Sequence, residues 1–210
     1  MSDFNSNASG RCICQRCLRV QKNCLCDLLT PVQAPIEIGI WQHPSEVKQV
    51  KGTARLAHLM LQRSEFWVGE TLEQAQGEVD LADWLQQKKT FLLYPRTQMF
   101  ASQLVMASPD LLGQETFQVL VLDATWRKTH KMLALNPVLQ TLPRIELNEI
   151  VSSRYRIRKQ REGASLSTIE AIYHLLQQLS SDSQPFEPLL NSFEQMQKRL
   201  EQYIPLQHRH

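Results

Sequence analysis

Apolar positions along the chain fall into two periods. IEIGIW (36–41) alternates as a half-covered strand does, and FWVGE (66–70) and PRIEL (143–147) read as short strands. TFLLYP (90–95) and FQVLVLD (117–123) are unbroken apolar runs, the pattern of strands covered on both faces. Between them the spacing turns helical. Val47, Val50, Ala54, Ala57 and Leu61 predict one helix, and Leu72 to Gln87, with Trp84 and Leu85 apolar, predicts another. A helix is expected from near Thr125 to about Leu135, ahead of Asn136-Pro137. Ser165 or Ser167 caps a further helix whose stripe is Ile169, Ile172, Tyr173, Leu176 and Leu179. Leu189, Leu190, Phe193, Met196, Leu200 and Ile204 mark the last one. Strands alternating with helices predict an α/β fold with a mostly parallel sheet flanked by helices.

At 210 residues, 42% hydrophobic and 21% charged, the chain reads as one globular domain with room for a small appendage. The net charge of +2 names no partner, but its distribution does more. From Arg144 to Arg161 six cations (Arg144, Arg154, Arg156, Arg158, Lys159, Arg161) face only Glu146 and Glu149. Such a field suits a polyanion, or else is a solvated loop. No apolar run approaches the roughly 20 residues of a membrane span. MSDFNSNASG lacks the pattern of a signal peptide, so the expected address is cytoplasmic and the thiols are expected to stay reduced.

All five cysteines lie in RCICQRCLRVQKNCLC, after which LLTPVQAP reads as a linker. Cys14 and Cys17 form a C-x-x-C pair, Cys24 and Cys26 a C-x-C pair, together a four-thiolate set suited to tetrahedral Zn²⁺. Arg11, Arg16, Arg19 and Lys22 would offset its negative charge. Cys12 is the spare thiol and an alternative to Cys14. A closed site of this kind is structural or docks RNA. The expected division is a zinc-binding knuckle over 11–30 and a second domain over 31–210.

The stretch VLVLDATWRKTHKM (119–132) carries more chemistry than a turn needs. Asp123 ends the strongest strand, and ligands of open α/β sheets collect beyond the carboxyl ends of strands, where Pro95 and Asn148 also fall. Asp123 serves equally as a helix N-cap. Trp126 is either a packing residue or a stacking surface. Arg127, Lys128 and Lys131 share one helical stripe, a solvated face unless a polyanion is present. No G-x-G-x-x-G, P-loop, H-E-x-x-H or G-x-S-x-G occurs.

D-A-T-W at 123–126 resembles the D-x-T-W signature of the DTW-domain proteins. The other motifs follow in order: C-x-x-C-x6-C-x-C, H-P-S-E (43–46), L-L-Y-P (92–95), L-P-R-I (142–145), Y-R-I-R (155–158) and L-S-T-I-E-A (166–171). The resemblance runs from about Arg11 to Leu179, and the last thirty residues carry no motif of it. It implies a SPOUT-like fold with a C-terminal trefoil knot that holds S-adenosylmethionine. It also implies transfer of the 3-amino-3-carboxypropyl group to N3 of a tRNA uridine, in the variable loop, with release of 5′-methylthioadenosine. On that basis Asp123 contacts N3–H as base or positioning group. Tyr94, Pro95, Thr125, Trp126, Leu147, Asn148, Leu166, Ser167 and Thr168 hold the donor, with His43 and Pro44 as further lining candidates. Arg127, Lys128, Lys131, Arg154, Tyr155, Arg156 and Arg158 meet the tRNA. The rival readings are methyl transfer by the same fold and a zinc-knuckle RNA-binding protein without catalysis. The sequence leaves oligomeric state open.

Overall fold

The computed structural model of the chain describes residues 4–6, 12–95, 104–113, 116–148, 166–180 and 184–203. Its strands are β1 (Phe4–Ser6), β2 (Cys12–Cys14), β3 (Glu37–Gln42), β4 (Ser64–Val68), β5 (Lys89–Leu93), β6 (Leu104–Met106), β7 (Phe117–Asp123) and β8 (Arg144–Glu146). Its helices are α1 (Ala54–Met60), α2 (Leu81–Gln87), α3 (Trp126–Leu135), α4 (Pro137–Thr141), α5 (Thr168–Leu179) and α6 (Glu187–Glu201). β1 and β2 form a small antiparallel pair. The other six strands make one sheet in the order β4-β3-β7-β5-β8-β6, with every pairing parallel. The α/β expectation holds.

Side-chain parity along the strands sorts the core into two layers. Ile38, Ile40, Val119 and Val121 face a core completed by α1, α5 and α6, through residues such as Leu56, Ile172, Leu176 and Phe193. Trp41 and Leu120 face the opposite way, into a second core with Trp67, Trp84, Met132, Leu133 and Leu139 from β4, α2, α3 and α4. β7 is therefore covered on both sides, which is why its sequence shows no alternation. Gly39 belongs to the second face. A Cβ there would lie 2.6 Å from Trp84 and 2.9 Å from Trp67, so only glycine lets the two indoles close over β3.

Two predicted helices are shorter than their spacing suggests. The stretch from Val47 to Leu61 is helical only over Ala54–Met60. Residues 44–53 instead form successive turns, with Glu46 N donating to His43 O, Gln49 N to Glu46 O and Gly52 N to Gln49 O. Val47 and Val50 are 45% and 53% exposed, so their spacing buries nothing, and Gly52 further disfavours helix. In the second case Leu72–Gln74 is a 3-10 turn and the helix starts only after Asp80, whose Oδ1 accepts from Asp83 N at 3.0 Å. Gln76 pairs with Val68 through two backbone bonds of 2.9 Å, and Gly77 lies against the Trp67 ring. That pairing holds the chain extended where periodicity predicts helix. The short edge strand β6 has no counterpart in the sequence reading. Ile204, assigned to the last apolar stripe, lies outside the described residues.

The cysteine segment docks on α6. Ser192 Oγ donates to Leu28 O at 2.6 Å, and Arg199 donates to Cys24 O at 2.9 Å while pairing with Asp27. The residues without a recognised motif thus carry the knuckle. Among the described residues no helix is long and apolar enough to cross a membrane.

Gly39→Ala is expected to lower stability by about 1–3 kcal/mol through overpacking of the indole pair, read from urea unfolding. His58, 2.9 Å from Ser64 Oγ, is held neutral: burial, helped by the Arg55 charge, brings its pKa from 6.5 to about 4. The folded state binds that proton less readily than the unfolded chain. Stability is therefore full above about pH 6.5 and falls as the pH drops toward 4, by on the order of 1–2 kcal/mol for this group. His58→Gln should flatten that part of the profile.

Candidate functional site

The site is built where the parity of the central strands runs out. Gln42 and Asp123 end β3 and β7 as direct register partners. They continue the rows Ile38–Ile40 and Val119–Val121, so both side chains face α5. The buried Gln42 amide donates to Asp123 Oδ2 at 2.7 Å, Thr168 Oγ donates to Asp123 Oδ1, and the Asp123 carbonyl accepts from His43 N at 3.0 Å. Asp123 is not the N-cap of α3. Thr125 takes that position, without a side-chain capping bond, and Asp123 is left to its own partners.

Around Asp123 opens a cavity of about 570 Å³. Five segments wall it: the turns at 46–53, the end of β5 at 93–95, the end of β8 at 145–147, the β7–α3 junction at 121–129, and the start of α5 at 166–171. Of the predicted donor residues, Tyr94, Pro95, Thr125, Trp126, Leu147, Leu166, Ser167 and Thr168 line this one cavity. Asn148 stands outside the lining. Its amide donates to Ala107 O at 3.0 Å and its backbone N–H to Gln178 Oε1 at 2.8 Å, tying β8 to α5. His43 and Pro44 also fall outside the lining. His43 Nδ1 accepts from Ser45 N at 3.1 Å, which leaves Nε2 to donate to Glu70 Oε1 at 3.0 Å.

The start of α5 is closed by a capping box. Ser167 Oγ and N both donate to the Glu170 carboxylate, at 2.7 and 2.9 Å, and Glu170 N donates back to Ser167 Oγ at 3.4 Å. Glu170 is 1% exposed, so the acid is spent on fixing the loop that presents Leu166 and Thr168. On the opposite wall Tyr94 meets the half-exposed Trp126 edge to face, centroids 5.8 Å apart. The Arg144 guanidinium lies 4.8 Å from the Tyr94 ring centre on its other contact. Arg144 is 2% exposed, so it is removed from the basic field in which the sequence counted it. Burial raises the Tyr94 phenol pKa, against the pull of the Arg144 charge.

Two of the three cations on α3 are engaged within the chain. Lys128 lines the cavity and pairs with Glu46 at 2.8 Å, with Ser45 Oγ as a further acceptor. Lys131 reaches the Glu70 carboxylate at 2.9 Å. Those bonds, from Lys131 first and His43 second, hold the Glu70 carboxyl below the usual range. Arg127 is exposed and makes no hydrogen bond or ion pair among the described residues. Arg154, Tyr155, Arg156 and Arg158 lie outside the described residues.

Sequence reasoning missed the wall at 46–53, namely Glu46, Gln49, Lys51, Gly52 and Thr53, together with Gln42 and Glu146. Only Gln42 left a usable signal, as a polar residue closing a buried strand beside the one that ends in Asp123.

The cysteine centre lies apart from this cavity. Cys14, Cys17, Cys24 and Cys26 bring their sulfurs within 4.8 Å of one another, with Cys14–Cys26 at 3.5 Å and Cys17–Cys24 at 3.7 Å. A tetrahedron with metal–sulfur bonds of about 2.3 Å has edges near 3.8 Å, so the four thiols fit one. Cys12 is exposed and outside the group, which decides between it and Cys14. Leu18, at φ 57°, reverses the chain after Cys17, with its N–H donating to Cys14 O at 2.9 Å. Burial opposes ionisation of Cys14, but the backbone N–H groups of Cys17 and Arg16 and the neighbouring thiols outweigh it, giving a pKa of about 7. Burial and the adjacent sulfurs push Cys24 and Cys26 the other way. A divalent cation reverses that resistance, because coordination favours the thiolates.

A family model described as DTW domain matches residues 11–201, which extends the likeness beyond Leu179 and through α6. tRNA-uridine aminocarboxypropyltransferase 2 of Mus musculus is 30% identical over 169 residues, covering 78% of this chain and 55% of that protein. The proteins of the same name from Drosophila melanogaster (29%, 80% of this chain, 66% of that one) and Macaca fascicularis (27%, 87% and 61%) are similar. The chain thus spans 55–66% of the length of these curated relatives. No solved structure matches it. With the cysteine set, the D-A-T-W strand end and the capped start of α5 all falling inside the matched stretch, the chain belongs to the DTW-domain family.

Proposed function

We propose that this protein transfers the 3-amino-3-carboxypropyl group of S-adenosylmethionine to N3 of a tRNA uridine, in the variable loop, in a cytoplasmic setting. The observation that carries the reading is the Asp123 carboxylate, fixed by Gln42 and Thr168 on the wall of a 570 Å³ cavity. The relatives named as tRNA-uridine aminocarboxypropyltransferases support the chemistry. In the reaction N3 bonds to the carbon of the methionine chain next to sulfur. That carbon's bond to sulfur breaks with its electron pair going to sulfur, the N3 proton passes to solvent water, and 5′-methylthioadenosine leaves.

A sulfonium is already a competent leaving group, so orientation is the protein's main task. Apolar lining from Leu93, Tyr94, Val121, Leu147 and Leu166 suits an adenosine, with Trp126 as a ring surface for a base. Glu46, Lys51, Asp123, Lys128 and Glu146 supply both signs of charge in the same cavity, as a zwitterionic amino-acid chain requires. The Asp123 carboxylate, oriented by Gln42 and Thr168, is assigned to receive uridine N3–H. We assign it positioning ahead of proton removal, since Gln42 and Thr168 fix its two oxygens in one orientation. Arg127 and the 60% exposed Lys131 are assigned to the tRNA backbone, with Arg154, Tyr155, Arg156 and Arg158. The all-parallel sheet supports a SPOUT-like fold, with the C-terminal trefoil knot which that fold implies. The four cysteines would hold a structural Zn²⁺, whose closed coordination leaves no open position for chemistry.

Incubation with S-adenosylmethionine and tRNA is expected to yield 5′-methylthioadenosine and a uridine bearing the aminocarboxypropyl mass by nucleoside mass spectrometry. S-adenosylhomocysteine as the product would overturn the reading in favour of methyl transfer. Asp123→Asn should lower transfer roughly a hundredfold with an unchanged unfolding midpoint, and near-normal rates would remove Asp123 from the chemistry. Purified protein should carry one zinc per chain, and chelation should lower the unfolding midpoint. Metal-free protein of unaltered stability would refute the zinc assignment.

A further inference from the structure

The cysteine centre and the cavity are joined by one side chain. Arg19 sits between the two thiol pairs and is fixed to the first of them, because its carbonyl accepts from Cys14 N at 2.8 Å. Val20 beside it bridges to Ile13 in β-fashion, so the backbone at 19–20 is ordered by the same fold that gathers the sulfurs. The Arg19 side chain then leaves the knuckle. Nη1 donates to Val50 O at 2.5 Å, and Nη2 donates to Gly52 O at 2.8 Å and approaches Met196 Sδ at 3.7 Å. One planar fork thus joins the metal loop, the cavity wall and α6.

The segment it grips gains little order from its own sequence. Residues 46–53 belong to neither a strand nor an α-helix, and their backbone bonds are local turn bonds. At one end Glu46 is fixed by Lys128, and at the other Thr53 Oγ accepts from Ile169 N at 3.3 Å. Between these anchors Gln49, Lys51 and Gly52 form cavity wall, while the exposed Val47 and Val50 give the stretch no apolar hold. A turn segment with so little burial opens at low free energy unless something outside it supplies order. A guanidinium supplies it well here, since its five donors lie in a rigid plane and can meet two carbonyls at once.

We propose that Arg19 is a positioning residue for the donor, transmitting the metal-held geometry of the four-cysteine centre to the 49–53 wall of the cavity. The inference rests on the reading of that cavity as the S-adenosylmethionine site. It gives the closed metal centre a part in donor binding that its coordination alone does not suggest. Loss of the metal frees the loop that holds Arg19, and the wall loses its clamp without any cysteine touching the donor.

The test compares wild type, Arg19→Gln and Arg19→Lys, each with its metal and after chelation. Arg19→Gln should keep its metal and its cooperative unfolding yet bind S-adenosylmethionine about tenfold more weakly, with kcat at saturating donor unchanged. Amide exchange at Gly52 should quicken, while that of α5 stays as in wild type. Arg19→Lys keeps the charge but not the fork and should remain clearly weaker than wild type. Chelation of wild type should reproduce both effects, and chelation of Arg19→Gln should add little to either, because the path is already cut. Wild-type affinity and exchange in Arg19→Gln would overturn the proposal. So would full recovery by lysine, or chelation and substitution effects that multiply. A wild-type protein that does not bind S-adenosylmethionine refutes the donor assignment instead, and the exchange measurements then decide the clamp by themselves.

Discussion

A carboxylate that ends a strand covered on both faces must find its hydrogen bonds at the strand's mouth, and here it finds them on two other elements. Gln42 comes from the neighbouring strand, 81 positions before Asp123, and Thr168 is the first residue of α5, 45 positions after it. Each partner depends on something larger. Gln42 is in place because β3 and β7 keep one parallel register, and Thr168 because the Ser167–Glu170 box fixes where α5 begins. The cavity follows from this arrangement. The end of β3 and the start of α5 meet at Asp123 through these bonds, and the ends of β5 and β8 complete the wall around it.

The fold was legible where burial is two-sided and where caps are explicit. Phe117–Asp123 has the same limits in sequence and structure, since a strand with no polar face leaves no other reading of its apolar run. The start of α5 was legible to within two residues, as Ser165 or Ser167 ahead of the apolar stripe, and the capping box settles it at Ser167. Periodicity misled where apolar spacing occurs without burial, as at Val47 and Val50. It misled again where a backbone pairing overrides it, as at Gln76 beside Val68. Both are tertiary effects, invisible to a local window. Edge strand β6 is three residues long, too short to carry a period.

At the site, most of the donor residues read from motifs gather around one cavity, with Asn148, His43 and Pro44 apart, because those motifs sit at strand ends or a helix start. The wall at 46–53 escaped notice for the opposite reason. Its lining residues are small, amidic or charged, they form turns, and the side chain that grips the segment is an arginine some thirty positions earlier in the chain. The cations of α3 show the limit of charge as a clue. Lys128 lies on the basic helical stripe, and within the chain its ammonium pairs with Glu46 and Ser45 at the cavity. A stripe gives direction only, and whether the charge is available depends on the acids that other segments bring to it.

The four tryptophans divide unevenly between the interior and this cavity. Trp41, Trp67 and Trp84 are buried together against β3, 0–1% exposed, with their indole N–H groups given to Gly69 O, Val79 O and Glu37 respectively. Trp126 is 51% exposed on the cavity wall. The chain therefore carries its own optical label. Three indoles emit from a dry, rigid setting, shielded from a dissolved quencher, and one emits from water at the place where a ligand would cover it. The red, quencher-accessible part of the protein's fluorescence belongs to Trp126, and its loss on adding a ligand reports occupancy of the cavity without any label being attached.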